Sequence, residues 1–243
     1  ALELISDDVL DLVRAYQKSP LPNILNHLTS AQDTVFRLLE RPQRPAHARQ
    51  LYFLSGILGG LLAKASHDLG DAHAALAQSR AAWLCAEQAD HPGLRAWISG
   101  MQSLICYWAC RPHDSIRYAE RGTAYAQTSG NTASVWLSLS EARAWAALGN
   151  SEKTRDAINR GLAAREHVRP NELDQMGGLA TFSVHRQLYY IADALAWLPP
   201  DESLSADEHA LNAVAAYSDP TDPDWAFGDA AGARTDLAII RIK

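Results

Sequence analysis

Asp68-Leu69-Gly70-Asp71, Ala109-Cys110-Arg111-Pro112 and Leu148-Gly149-Asn150 decide the fold of this chain. Each stands between long segments whose apolar residues recur at three- and four-residue spacing, the pattern of helices with a buried face. Glycine after such a run stops a helix. Asp or Asn then suits the start of the next, and Pro112 suits a first helical position, where its missing N–H is not needed. Gly70 to Cys110 is 40 residues and Cys110 to Gly149 is 39. Softer breaks at Asp90-His91-Pro92-Gly93 and Ser129-Gly130-Asn131 fall between them. Regular stops of this kind predict stacked helical hairpins.

Aligning the three turns tests the repeat. Thirteen residues before the turn stand Ile57, Trp97 and Trp136, and seven before stand Ala63, Ser103 and Ala142. Five after stand Ala75, Ser115 and Thr154, and twelve after stand Ala82, Gly122 and Gly161. Three columns hold small residues and one holds large apolar ones. Antiparallel helices approach closely where both offer a small residue at the crossing, and large residues fill the grooves beside it.

Over roughly residues 50–168 this arrangement resembles the tetratricopeptide repeat. The resemblance implies an all-α fold, a right-handed superhelical solenoid of antiparallel helix pairs. The repeats are degenerate. Their period is 39–40 residues rather than the usual ~34. Ser66 and Cys106 replace the usual aromatic on the first helix, only Trp145 keeps it, and the closing proline is missing. An armadillo- or HEAT-like hairpin solenoid is the alternative.

Outward from this centre, residues 1–45 read as N-terminal helices leading into an array spanning 46–243. Two short helices, Asp8–Tyr16 and Ile24–Glu40, are split by Ser19-Pro20-Leu21-Pro22, and Arg41-Pro42-Gln43-Arg44-Pro45 breaks the chain again. Gly178–Trp197 reads as one apolar helix stopped by Leu198-Pro199-Pro200, and Ser205-Ala206-Asp207-Glu208 as a capping box for the next. A loop at 218–223 precedes a last helix from about Trp225, still apolar at Leu237, Ile239, Ile240 and Ile242. Solenoids normally finish in a polar capping helix, so the array is expected to continue past Lys243, and a docking surface at this end is the alternative. The absence of an initiator Met points the same way, to a processed or excised piece.

Hydrophobic residues make up 47% of the 243 and the formal net charge is −6. A packed core is expected and disorder is not. Phosphate binding normally leaves a basic footprint, and the thin Arg41–Arg49 cluster is not one. DNA is therefore expected as a partner only through a domain absent from this chain. Three cysteines, Cys85, Cys106 and Cys110, fit a reducing cytoplasm better than a disulfide framework. Neither a membrane-spanning apolar run nor a signal peptide is present.

A narrower resemblance rests on Asp68-Leu69-Gly70-Asp71, Ser79-Arg80-Ala81-Ala82-Trp83-Leu84-Cys85-Ala86, Gly93-Leu94-Arg95-Ala96-Trp97 and Gln102-Ser103-Leu104-Ile105-Cys106-Tyr107-Trp108-Ala109. Phe227-Gly228-Asp229-Ala230-Ala231-Gly232-Ala233-Arg234 adds to it. These stretches resemble the repeat region of actinobacterial transcription regulators that join an N-terminal helix-turn-helix to a tetratricopeptide array. The resemblance implies a non-catalytic sensing or oligomerising module, and it implies further repeats after Lys243. Residues 1–40 are too acidic and Pro-broken to supply the helix-turn-helix.

Catalytic patterns are missing. The chain has no Gly-rich phosphate loop after a strand and no Gly-x-Ser-x-Gly, and the acidic pairs Asp7-Asp8 and Asp201-Glu202 read as helix-start or loop residues. Cys106 and Cys110 share a helical face with His113 following, but no second ligand pair completes a zinc set, so no metal and no cofactor are expected. His73 and His113 read as exposed starts of second helices. The candidate site is the concave surface lined by first helices: Lys64, His67, Trp97, Met101, Tyr107, Trp136, Ser140 and Arg143. Lys64 and Arg143 hold the same repeat position with Leu104 between them, so two cations would flank an apolar floor and clamp a carboxylate. His67 would make binding pH-sensitive. The bland alternative makes Trp97 and Trp136 inter-repeat core, and Lys64 and Arg143 solvated surface. The expected partners are a peptide, protein or small-molecule effector in the groove, a second copy in a homodimer, and no membrane. A stand-alone interaction scaffold is the competing function.

Overall fold

The computed structural model describes residues 2–200 and 205–243, so the Asp201-Glu202 pair lies outside the described residues. Among the described residues there are twelve α-helices, one turn of 3₁₀ helix at Gly178–Ala180, and no strand. The helices are α1 (Leu2–Ala15), α2 (Leu21–Leu39), α3 (Pro45–Asp68), α4 (Ala72–Gln88), α5 (Pro92–Trp108), α6 (Pro112–Ser129), α7 (Ala133–Ala147), α8 (Ser151–Glu166), α9 (Glu172–Gln175), α10 (Val184–Ala196), α11 (Ala206–Ala216) and α12 (Phe227–Ile242). They pack in consecutive pairs, α3 on α4, α5 on α6, α7 on α8 and α10 on α11, and α5 also packs on both α3 and α7.

The three turns share one geometry. Gly70, Cys110 and Gly149 have φ of 83°, 57° and 72°. The N–H after each turns back onto a carbonyl five residues earlier: Asp71 onto Ser66 at 2.9 Å, Arg111 onto Cys106 at 2.9 Å, Asn150 onto Trp145 at 3.0 Å. This left-handed cap satisfies carbonyls that the helix end leaves free. Asp71 and Asn150 then cap the next helices, accepting from Ala74 and Lys153. Asp90, φ 50°, makes the same turn between α4 and α5. There His91 is the cap, its Nδ1 accepting the Leu94 N–H at 2.8 Å.

All twelve residues of the four aligned columns are buried. Residues 71–80 and 111–120 also share one pattern of exposed and buried positions, residue by residue. Small size is required at these crossings. A Cβ on Gly122 would stand 2.7 Å from Leu137 Cδ2 and 2.7 Å from Ser99 Cβ. Within the α5–α6 hairpin, Ser103 Oγ donates to the Ser115 carbonyl at 2.9 Å.

Three expectations change. The first helix begins at Leu2 rather than Asp8, because Leu2 and Ile5 extend the stripe that buries Val9 and Val13. Gly178–Trp197 is not one helix. Gly177 and Gly178 take φ of 71° and 51°, a 3₁₀ turn follows, and α10 starts only after Ser183, whose side chain accepts from the Arg186 N–H. Ser205 precedes α11 without making a capping hydrogen bond. A true capping box forms instead between Asn171 and Asp174, at the start of α9.

The segment 167–183 consequently acts as a strap across the starts of α5 and α7. Arg169 N–H donates to Gly130 O at 2.8 Å, and His91 Nε2 meets Glu172 Oε1 at 2.8 Å. The Asp174 carboxylate accepts from the Thr132 N–H and hydroxyl. At its far end the strap meets α1. A Cβ on Gly178 would stand 2.4 Å from Val13 O, so only glycine fits there. Then α10 packs against α7 and α12. No helix among the described residues is long and apolar enough to cross a membrane.

Candidate functional site

Strap and α10 cover the inner faces of α5 and α7. Trp97 is 2% exposed, and its Nε1 donates to the strap carbonyl of Leu179 at 3.0 Å. The Phe182 ring stacks on Trp136 at 6.1 Å, and Trp136 Nε1 donates to Tyr190 Oη at 3.3 Å. What stays open is a cavity of about 400 Å³. Its walls come from the turn after α1 (Tyr16, Gln17), α3 (Lys64, His67, Asp68), α5 (Met101, Leu104, Trp108) and α7 (Trp136, Arg143). Leu179 of the strap, Arg186, Tyr189 and Tyr190 of α10, and residues 226–229 at the start of α12 complete them.

Five of the eight groove residues read from sequence meet at this cavity: Lys64, His67, Met101, Trp136 and Arg143. The other three lie behind its walls. Trp97 sits under the strap, Tyr107 packs on Arg143, and Ser140 is buried with its hydroxyl unpartnered.

The two cations do not form an open clamp, because each already faces a carboxylate of this chain. Lys64 pairs with Asp68, one helical turn on, and Tyr16 Oη donates to the same carboxylate at 2.9 Å. Arg143 pairs with Asp193 of α10, and both are buried. Tyr107 Oη donates to Asp193 at 3.0 Å, and the rings of Tyr107 and Tyr190 each lie 4.2 Å from the Arg143 guanidinium. Burial opposes the Arg143 charge. The Asp193 carboxylate and the surrounding tyrosines offset that and hold its pKa well above the ordinary value. A third pair, Arg186 with Asp229 at 3.2 Å, joins α10 to α12, and Tyr217 Oη adds a hydrogen bond to Asp229 at 3.3 Å.

His67 is not poised near neutral pH. Burial first, then the neighbouring Lys64 charge, lowers its pKa to about 4, with Asp68 partly opposing and Arg143 adding to the depression. Its imidazole is neutral across the physiological range, so the expected pH sensitivity does not reside in the unliganded histidine. The titratable group of interest is Asp236 on α12. Burial and the adjacent Asp193 carboxylate raise its pKa to about 8, and the two carboxyls share a hydrogen bond. The proton so retained belongs to the carboxyl pair beside Arg143.

The cysteines stand apart. Cys106 is in the core with its thiol pushed up to about 11, chiefly by burial, while Cys110 and His113 are exposed around the turn.

Sequence reasoning missed Tyr16, Asp68, Arg186, Tyr189, Tyr190, Asp193 and Asp229. Most of these belong to α1, α10 and α12, outside the aligned repeats. Tyr189-Tyr190 beside Arg186 and Asp193 was the available signal, since polar and charged groups on an apolar helix need partners. Comparison with protein-family models, curated proteins and solved structures finds no match to this chain.

Proposed function

We propose that this chain is the non-catalytic effector-binding array of a bacterial transcription regulator, working in the cytoplasm, with the DNA-reading domain outside this chain. On this reading its hairpins follow the right-handed superhelical course of a degenerate tetratricopeptide solenoid. The observation that carries the reading is the cavity beneath the strap and α10. Its volume of about 400 Å³ suits a small molecule. Aromatic rings and three cation–carboxylate pairs offer an apolar body and polar contacts at fixed places. The regulatory half of the proposal rests on the resemblance to actinobacterial regulators.

The wall spans the turn after α1 together with α3, α5, α7, α10 and α12, so a ligand contacts elements that are distant in sequence. A ligand that favours one arrangement of α10 and α12 over another shifts the population between them and transmits to whatever is attached. The test is a small-molecule screen by thermal shift and tryptophan fluorescence, using Trp108 and Trp136 as reporters. A hit should change DNA binding by the intact protein and should lose affinity in Tyr189→Ala. If no small molecule binds there, or binding leaves DNA affinity unchanged, the proposal fails.

Exposed apolar side chains favour a second reading. Trp197 just after α10, Leu211 on α11, and Phe227 and Ile242 on α12 are 44–85% exposed. They suit the stand-alone scaffold, which predicts a stable co-purifying protein and no small-molecule ligand.

A further inference from the structure

Beside the cavity, a histidine and two aspartates from different elements converge. His185 lies on the first turn of α10, and Asp222 and Asp224 lie on the loop between α11 and α12. Asp222 Oδ2 is 3.6 Å from His185 Nε2, and Asp224 Oδ2 is 3.9 Å from His185 Nδ1. One ligand atom from each of the three residues lies within 4.8 Å of the other two, and all three residues are half-buried. We propose that His185, Asp222 and Asp224 bind a divalent transition-metal ion, which ties the α11–α12 loop to the start of α10.

The donor set defines the class of ion. One imidazole nitrogen with two carboxylate oxygens is a borderline set, suited to zinc, manganese or iron(II). Calcium and magnesium take oxygen ligands, and the thiols lie elsewhere. Ligand atoms ~2.0–2.1 Å from zinc stand about 3.3 Å apart at the tetrahedral angle, close to the Asp222–His185 separation. Only one ring nitrogen binds the ion, so Asp224, whose 3.9 Å approach is to the other nitrogen, must swing toward the one that Asp222 faces, across a spread of ligand atoms no wider than 4.8 Å. Water completes the coordination.

The surroundings leave the carboxylates free for this. Asp222 Oδ1 accepts the Asp224 N–H at 2.7 Å, which aligns the two side chains, while Oδ2 faces the imidazole. Two cations are close. Lys18 donates to the Asp222 carbonyl, and Arg165 donates to Gln187 and to the Phe182 and Ser183 carbonyls. Neither bonds to the two carboxylates, whose paired charge is what a dication neutralises.

The position gives the site a consequence. Residues 226–229, two beyond Asp224, form one rim of the cavity, and Arg186, next to His185, forms another part of the wall. A bound ion would fix one rim to the other. The metal proposal stands on its own geometry and survives if the cavity binds no effector.

The experiment uses the chain freed of metal by chelator. Zinc or manganese chloride is titrated by calorimetry, with manganese also followed by electron paramagnetic resonance. The wild type is expected to take up one equivalent of either ion. His185→Ala and the double variant Asp222→Asn/Asp224→Asn should each weaken uptake at least ~tenfold. The amide that replaces the Asp222 carboxylate keeps an oxygen to accept the loop N–H, so the double variant should still fold, which circular dichroism checks before titration. His113→Ala and Cys110→Ser should leave the affinity unchanged. Absence of uptake of both ions at millimolar concentration overturns the site, and so does equal affinity in the wild type and the double variant.

Discussion

Replacing Asp236 with Asn should stabilise the protein at neutral and alkaline pH, and the gain should vanish in acid. In the unfolded chain this carboxyl loses its proton near the ordinary value of 3.8, whereas in the fold it keeps it up to about 8. Between those values the unfolded state binds fewer protons than the native state, so raising the pH favours unfolding. The contribution of Asp236 is thus complete below pH 4 and is lost as pH rises through 8. Holding the proton at pH 7 costs the fold about 1.4 kcal/mol per pH unit above the ordinary value, an upper bound of roughly 4 kcal/mol. Asparagine keeps the shape and can donate to Asp193 as the protonated acid does, without that cost. Urea unfolding of both proteins between pH 4.5 and 8.5 is the assay. The stability difference should grow steadily with pH, reaching about 2–4 kcal/mol near pH 7.5. A variant equal to or less stable than the wild type at pH 7.5, or a difference that does not change with pH, would falsify the shared-proton arrangement.

Cys110→Gly should stabilise the chain by about 0.5–1 kcal/mol in chemical denaturation, because an exposed L-residue at φ 57° bears a left-handed strain that glycine does not. Asp193→Ala in the Asp236→Asn background leaves the buried Arg143 charge without a carboxylate and should cost about 3–5 kcal/mol, part of which Arg143→Met in the same chain should recover. Gly122→Ala should destabilise by about 1–3 kcal/mol through overlap with Leu137 and Ser99. Gly228→Ala meets no atom within 4 Å and should be neutral or mildly stabilising, so a matched loss at both positions would contradict the crossing geometry. The His67 ring resonances should stay constant in NMR spectra between pH 6 and 8, and a midpoint near 6.5 would contradict its burial beside Lys64 and Arg143.

The repeat was legible because it is local. Turn residues 39 or 40 apart need a left-handed φ, a cap or a helix-starting proline, and each requirement shows as a residue type at a fixed offset. The small columns Ala63-Ser103-Ala142 and Ala82-Gly122-Gly161 are legible for a related reason, since helix approach at each crossing admits no larger side chain. Periodicity likewise marked α1 and α2, with α1 beginning six residues earlier than the acidic pair suggested.

The site was legible only in part. Lys64, His67, Met101, Trp136 and Arg143 follow from the repeat register, which assigns an inner face to each first helix. The register carries no information about what comes to rest on that face. Segment 167–183 has no helical period, and a Gly177-Gly178 kink followed by strap contacts to Thr132, Trp97 and Val13 is long-range packing. That packing covers part of the groove and leaves a cavity of about 400 Å³. The partners of Arg143 and Arg186, namely Asp193 and Asp229, lie tens of residues away in sequence. So does the Asp193 that holds the Asp236 proton. The sequence by itself determined the helices, their turns and the inner face, because those depend on neighbours a few residues apart. Tertiary structure decided which charges are neutralised, which histidine stays neutral and how large the cavity is, because those depend on groups brought together only when α10, α12 and the strap fold back over α5 and α7.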